Sequence, residues 1–413
     1  MIIKNITSIT GEKIEIRLAS KEGEIDAKGL TLLPALVDTH VHFRTPGAEY
    51  KEDWKSAAIA CVRSGITTVC DMPNNTPTCV TNKRLEEKKH LIDAQLKAVD
   101  IPLRYHLYLG ADCDHLDQII DTPAVAIKIF MGSSTGTLLL DDQSALRQAF
   151  INAKGKLIAV HAEDETVLRE SYFESENPAD HSVMRPAKAA ALAVTRAIAL
   201  AKEYNNPLII LHMSTKEEVD LVRSAKAEGL PVYGEVTPHH LFLTVEDYKR
   251  LGTLAKMNPP LRTKKDQEAL WEAIADGTID TIGTDHAPHT LAEKAEKNPP
   301  SGVPGIETLL PLMLNAVSQG RLTLATLIKL THTNPLKIFG LPENDDVTLV
   351  DLNLEKEVKN EELDTKCSWS PFAGEQLQGW PVYTICKGRL FSREKVVGKQ
   401  ELSGGVQGGS RGA

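Results

Sequence analysis

Lys156-Leu-Ile-Ala-Val160, then Ala187 to Tyr204, then Pro207-Leu-Ile-Ile-Leu211 is the stretch whose reading decides the fold. The two flanking runs are short, continuously apolar and rich in branched residues, as a strand covered on both faces requires. The Ala-rich segment between them has helical texture and enough length to carry the chain back to the same edge of a sheet. Working outward, the same strand pattern recurs at Gly65-Ile-Thr-Thr-Val-Cys70, Val125-Ala-Ile-Lys-Ile-Phe130, Pro231-Val-Tyr-Gly-Glu-Val236 and Thr278-Ile-Asp-Thr-Ile-Gly283, and Lys264 to Ala275 reads as another helix.

This repeat predicts an α/β fold of the TIM-type (β/α)8 barrel kind. Residues 1 to about 35 read differently, as short alternating strands such as Lys13-Ile-Glu-Ile-Arg17 broken by Gly11, Gly23 and Gly29. Strand texture returns after Gly340, at Val347-Thr-Leu-Val-Asp-Leu352 and Val382-Tyr-Thr-Ile-Cys386. The expected organisation is therefore a barrel over 38–342 and a small β-sandwich domain built from both chain ends, 1–37 and 343–413. The Gly-rich tail from Leu402 reads as a loose terminus or covering arm.

Composition narrows the function classes. With 413 residues, 42% hydrophobic and a net charge of -9, the chain can bury a large core and offers no basic surface for nucleic acid or anionic membrane. A small-molecule partner is expected. Cys61, Cys70, Cys79, Cys113, Cys367 and Cys386 are widely spaced and read as reduced thiols. No run approaches the roughly 20 apolar residues of a membrane span or resembles a signal peptide, so the expected location is the cytoplasm.

Chemistry collects at the ends of the predicted strands. His40 and His42, two apart on an extended segment, point the same way and can chelate one ion; alone, they equally describe two histidines on a half-buried strand. Lys128 interrupts an apolar run, where an ammonium is costly unless paired or modified. Its neutral amine can take up carbon dioxide to give an anionic carbamate that bridges two cations; a structural salt bridge is the plainer reading. His161 and His212 each close a strand, and Asp285 sits in Gly283-Thr-Asp-His-Ala-Pro-His289. Together these residues can hold two divalent ions around one water, with Asp285 both ligand and proton acceptor. That is the outline of a metal-dependent hydrolase.

Four motifs, Asp38-Thr-His-Val-His-Phe-Arg44 with Pro46-Gly47, Asp71-Met-Pro-Asn74, Asn258-Pro-Pro-Leu-Arg262 and Thr284-Asp-His-Ala-Pro-His289, closely resemble those of dihydroorotases of the amidohydrolase superfamily. A C-terminal Cys367-Ser-Trp-Ser-Pro-Phe-Ala-Gly374 resembles the family's tail signature, and the likeness spans roughly residues 30 to 390. The resemblance implies reversible cyclisation of N-carbamoyl-L-aspartate to L-dihydroorotate in pyrimidine (UMP) synthesis. It implies two Zn2+ per subunit: one on His40, His42 and Asp285, the other on His161 and His212, bridged by carbamylated Lys128 and a hydroxide. It further implies substrate contacts from His42, Arg44, Asn74, Asn258 and His289, with backbone contacts at Gly302, and a homodimer.

The chain departs from many relatives at Thr45, where they carry Glu, and at Ala35, where they carry Gly. Lys128-Ile-Phe-Met-Gly132 resembles hydantoinases, dihydropyrimidinases, allantoinases and the lysine-bridged dihydroorotases, whereas one large dihydroorotase group has an aspartate at the bridge. Arg44 with His289 is the sequence feature that favours a substrate with a free carboxylate, since the neutral rings of those enzymes need no carboxylate clamp. A non-catalytic, dihydroorotase-like scaffold is the alternative of another class; such proteins lose ligands, and this chain retains them. The polar segment Thr290 to Ser301 is either a lid or a solvated loop.

Overall fold

The structure, a computed structural model, describes residues 1–20, 23–134 and 138–394. The chain opens with four short strands, β1 (Ile2–Thr7), β2 (Lys13–Arg17), β3 (Glu24–Asp26) and β4 (Thr31–Pro34). Eight more follow: β5 (Leu36–Val41), β6 (Ile66–Asp71), β7 (Arg104–Gly110), β8 (Ala126–Phe130), β9 (Ile158–His161), β10 (Leu208–Ile210), β11 (Val232–Val236) and β12 (Thr281–Ile282). These eight pair in sequence order from β5 to β12, every pair parallel. The ring is drawn together past β12, where His286 bridges Val41 and its carbonyl accepts from His42 N at 2.9 Å. Asp38 completes the seam, accepting from Thr284 N at 3.0 Å and Thr284 Oγ1 at 2.5 Å.

The helices behave as their sequences require. Ala187–Tyr204 buries Ala189, Ala190, Ala193, Val194, Ala197, Leu200 and Ala201, a stripe at three- and four-residue spacing, and ends at Asn205 with φ 56. Lys264–Asp276 starts on a capping box between Thr263 and Asp266 and stops at Gly277 with φ 80. β7 is the barrel strand that composition hides. Arg104, Tyr105 and His106 are only half-buried, and Arg104 pairs with the buried Asp346 at the foot of the barrel.

Both chain ends build one second sheet. β13 (Val347–Glu357), β14 (Gln376–Cys386) and β15 (Arg389–Ser392) join the first four strands in a seven-stranded sheet of order β15-β14-β13-β4-β1-β2, with β3 on β1. The junction is β4 against β13, antiparallel, with Leu33 opposite Thr348. β14 lies on the barrel helix Ile306–Ser318, where Gly379 at φ 95 approaches Leu314 so closely that a Cβ would fall 2.6 Å from Leu314 Cβ. The six cysteines are unpaired and five are buried. Among the described residues no helix is long and apolar enough to cross a membrane. The tail from Leu402 lies outside the described residues.

Candidate functional site

Strand ends bring the chemistry together at one mouth of the barrel. His40 and His42 leave β5, Lys128 projects from β8, His161 ends β9, and His212 and Asp285 follow β10 and β12. They line one small cavity of about 30 Å³, together with Arg44, Asn74, Asn258 and Gly302. Three of these residues hold left-handed backbones: Arg44 (φ 60), His212 (φ 39) and Asp285 (φ 47). Such conformations cost about 1–3 kcal/mol each outside glycine and persist where the surroundings over-determine them, which marks functional sites.

Hydrogen bonding assigns the imidazole tautomers. His40 Nδ1 lies 2.6 Å from Glu235 Oε1, and His42 Nδ1 lies 2.7 Å from Asn74 Oδ1. Both partners are acceptors, so each ring donates from Nδ1 and turns Nε2 inward. Those two atoms stand 3.3 and 3.0 Å from Asp285 Oδ1. Burial holds the His42 pKa down to about 4, so the ring is neutral at physiological pH. Burial works to raise the Asp285 pKa, yet His40 and His42 beside it keep the carboxyl well below the ordinary range. His40, His42 and Asp285 each turn one ligand atom to the same point, and these atoms lie within 4.8 Å of one another. A divalent cation is what such a set fits.

The opposite wall is arranged the same way. His161 Nε2 lies 3.0 Å from Glu163 Oε2, and its Nδ1 lies 3.0 Å from His212 Nε2. Glu163 is buried and ion-paired with Arg185, which keeps its carboxyl ionised against the desolvation that burial imposes. Lys128 Nζ and His212 Nδ1 are buried polar atoms without a hydrogen-bond partner among the described residues. Burial pushes the Lys128 amine down to about 7, only partly offset by Asp285 and Glu235. A buried amine that has no carboxylate paired with it among the described residues fits a carbamate bridge better than a structural salt bridge.

Around this centre stand the candidate substrate groups. Arg44 donates from Nε to Pro288 O at 3.1 Å; burial brings its pKa down to about 10, leaving it cationic. Asn258 Oδ1 accepts from His181 Nε2 at 2.8 Å, and its amide nitrogen lies 3.4 Å from Ser134 Oγ. Gly302, at φ 139, cannot take a Cβ, which would meet Ala287 O at 2.5 Å. His289 is fully buried behind Arg44 and does not line the cavity. Its Nδ1 faces Lys51 Nζ at 3.1 Å, and its Nε2 lies 3.2 Å from both Ser301 O and Arg44 Nη2. With Nδ1 accepting from the ammonium, the proton sits on Nε2.

Glu235, Glu163 and His181 support the site, and the sequence reading singled out none of them. The one available signal was Glu235, a carboxylate inside the buried run Val232–Val236. Such carboxylates fix the ring orientation of metal-binding histidines.

Residues 31–390 match the model of the Amidohydrolase family. The chain belongs to the amidohydrolase family. It is 37% identical over 398 residues to the dihydroorotase of Halobacterium salinarum, covering 92% of this chain and 91% of that one. To the dihydroorotase of Methanosarcina mazei it is 37% identical over 408 residues, covering 93% and 88%. It matches 15% of the multifunctional protein CAD of Squalus acanthias, at 36% identity over 87% of this chain. Among solved structures it is similar to the L-hydantoinase (dihydropyrimidinase) of Arthrobacter aurescens, with TM-score 0.88, 29% identity and 97% of each chain covered.

Proposed function

We propose that this amidohydrolase is a dihydroorotase, interconverting N-carbamoyl-L-aspartate and L-dihydroorotate in pyrimidine synthesis. The observation that carries the reading is Arg44, a buried guanidinium on the wall of the cavity enclosed by the histidines, Lys128 and Asp285. A neutral cyclic amide has no use for it. The dihydroorotase and CAD names of the relatives support the same substrate.

His40, His42 and Asp285 would hold one zinc ion, His161 and His212 the other, with carbamylated Lys128 between them. When bound, the pair supplies Lewis-acid polarisation of the ring carbonyl and a water acidic enough to attack near neutral pH. The Lys128 amine forms its N–C bond to carbon dioxide and releases a proton, which leaves the anionic carbamate. In the ring-opening direction Asp285 accepts the proton of the attacking water and delivers it to the ring nitrogen as the C–N bond breaks. Cyclisation reverses these transfers. Arg44 grips the free carboxylate with its planar fork. Asn74 and Asn258 offer amide donors and acceptors to that carboxylate and to the cyclic imide, and His289, expected from the sequence to touch the carboxylate, lies behind Arg44 and would act on it through that guanidinium. His42 flanks the same space, and the Gly302 backbone borders it.

A second reading, a hydantoinase or dihydropyrimidinase, is favoured by the TM-score of 0.88 to the Arthrobacter enzyme. Ring opening of L-dihydroorotate by zinc-loaded protein, followed by loss of ultraviolet absorbance with hydantoin, dihydrouracil and allantoin alongside, separates the two. Preferential turnover of dihydroorotate is expected. Turnover of the neutral rings alone would transfer the chain to the second reading, and no turnover of any would favour the scaffold. The proposed setting is the cytoplasm and the proposed assembly a homodimer, which light scattering on the purified protein tests.

A further inference from the structure

Arg44 keeps its left-handed backbone because both neighbours are pinned from behind. Phe43 N donates to Asp71 Oδ1 at 2.8 Å, and Thr45 O accepts from Asn75 Nδ2 at 2.9 Å. Both pins converge on one cation. Lys88, from the helix Asn82–Val99, lies 2.5 Å from Asp71 Oδ2 and donates to Asn75 Oδ1 at 2.7 Å and Met72 O at 2.8 Å. The ammonium thus hydrogen-bonds to two acceptors and ion-pairs with the Asp71 carboxylate. Lys88 is 2% exposed and Asp71 0%, so the pair is dry. The segment it organises, Asp71 to Asn75, also carries Asn74, whose Oδ1 faces His42.

We propose that Lys88 is a positioning residue for substrate selectivity. Through the Asp71–Asn75 hub it holds Arg44 in the one backbone conformation that presents the guanidinium to a substrate carboxylate. The inference rests on the dihydroorotase reading. The hub's direct pins fall on Phe43 and Thr45, and it reaches the proposed ligand His42 only indirectly, through Asn74, so its loss weakens carboxylate recognition before it weakens the metal centre.

The test compares zinc-loaded protein with two variants. In the first, Lys88→Met is combined with Asp71→Asn, so that no uncompensated carboxylate remains buried and residue 71 still accepts from Phe43 N. In the second, Asn75→Ala leaves the Lys88–Asp71 ion pair intact and cuts the Thr45 pin together with the Lys88–Asn75 hydrogen bond. Crystal structures should show the φ of Arg44 leaving the positive region. The KM for L-dihydroorotate should rise about tenfold in the first variant and about threefold in the second, with kcat within about threefold and zinc content unchanged. Unchanged KM and an unchanged Arg44 backbone in a folded variant would overturn the proposal, and Asn75→Ala decides it should the double variant not fold. Were the unaltered protein inactive on dihydroorotate, the dihydroorotase reading would fall, and the Arg44 backbone in the variants would decide the positioning claim by itself.

Discussion

Asp285 is the acceptor nearest both inward-facing nitrogens of His40 and His42, and its proposed proton transfer gives the sharpest residue-scale expectation. Asp285→Asn keeps the shape and removes the base, so kcat should fall by at least about a thousandfold while the circular dichroism spectrum stays that of the folded chain. Retained turnover would remove Asp285 as the proton carrier. Glu235 acts through His40, and Glu235→Gln should weaken zinc affinity about 10- to 100-fold, read by chelator competition; an unchanged affinity would make Glu235 a packing group only. Arg44→Lys retains the charge and loses the fork. A raised KM for dihydroorotate with normal zinc content is expected, and normal kinetics would dismiss the clamp.

At the scale of elements, the sequence left Thr290 to Ser301 open between lid and solvated loop, and the decisive side chain is Lys294. It is 0% exposed and donates to the carbonyls of Lys256, Pro300 and Gly302. A charged residue in a polar run gives no local sign that three backbone carbonyls from two loops will surround it. The tail motif was legible as a resemblance, but its work is tertiary: Trp369 Nε1 donates to His289 O at 2.7 Å. Trp369→Phe, which keeps most of the ring's packing, should lower stability by about 1 kcal/mol and raise KM several-fold. Denaturant midpoints and kinetics check this, and a variant indistinguishable from the parent would separate the tail from the site. β7 escaped the sequence for a related reason, because its first three residues face the barrel's foot, where a polar end is tolerated.

For the whole molecule, the two chain ends are one sheet. A chain ended at residue 342 would strip β13 from β4 and β14 from the helix Ile306–Ser318, exposing apolar surface on both the remaining sheet and the barrel. It should be insoluble or unfolded, and a soluble, cooperatively melting fragment would refute that. Acid should also unfold the molecule, partly through His181. Burial, with the Arg185 and Lys256 cations nearby, holds its pKa at about 3 against an ordinary 6.5. Below 6.5 the unfolded chain therefore binds a proton that the folded chain refuses, and stability falls as pH drops toward 3. Urea midpoints of metal-free protein across this range should decline, and less steeply in His181→Asn; equal slopes would exclude His181. The sequence by itself determined the repeat of apolar strands and helices, hence the barrel, and the residue types at the strand ends, hence the proposed hydrolytic metal chemistry, because burial periodicity and ligand chemistry are local properties. Tertiary structure alone decided which carboxylate orients which histidine, why Arg44 bends left-handed, and how the chain's two ends share a sheet. Those contacts join residues up to hundreds of positions apart, such as His40 with Glu235 and Trp369 with His289, and no local pattern records which distant partner the closing of the barrel will bring within reach.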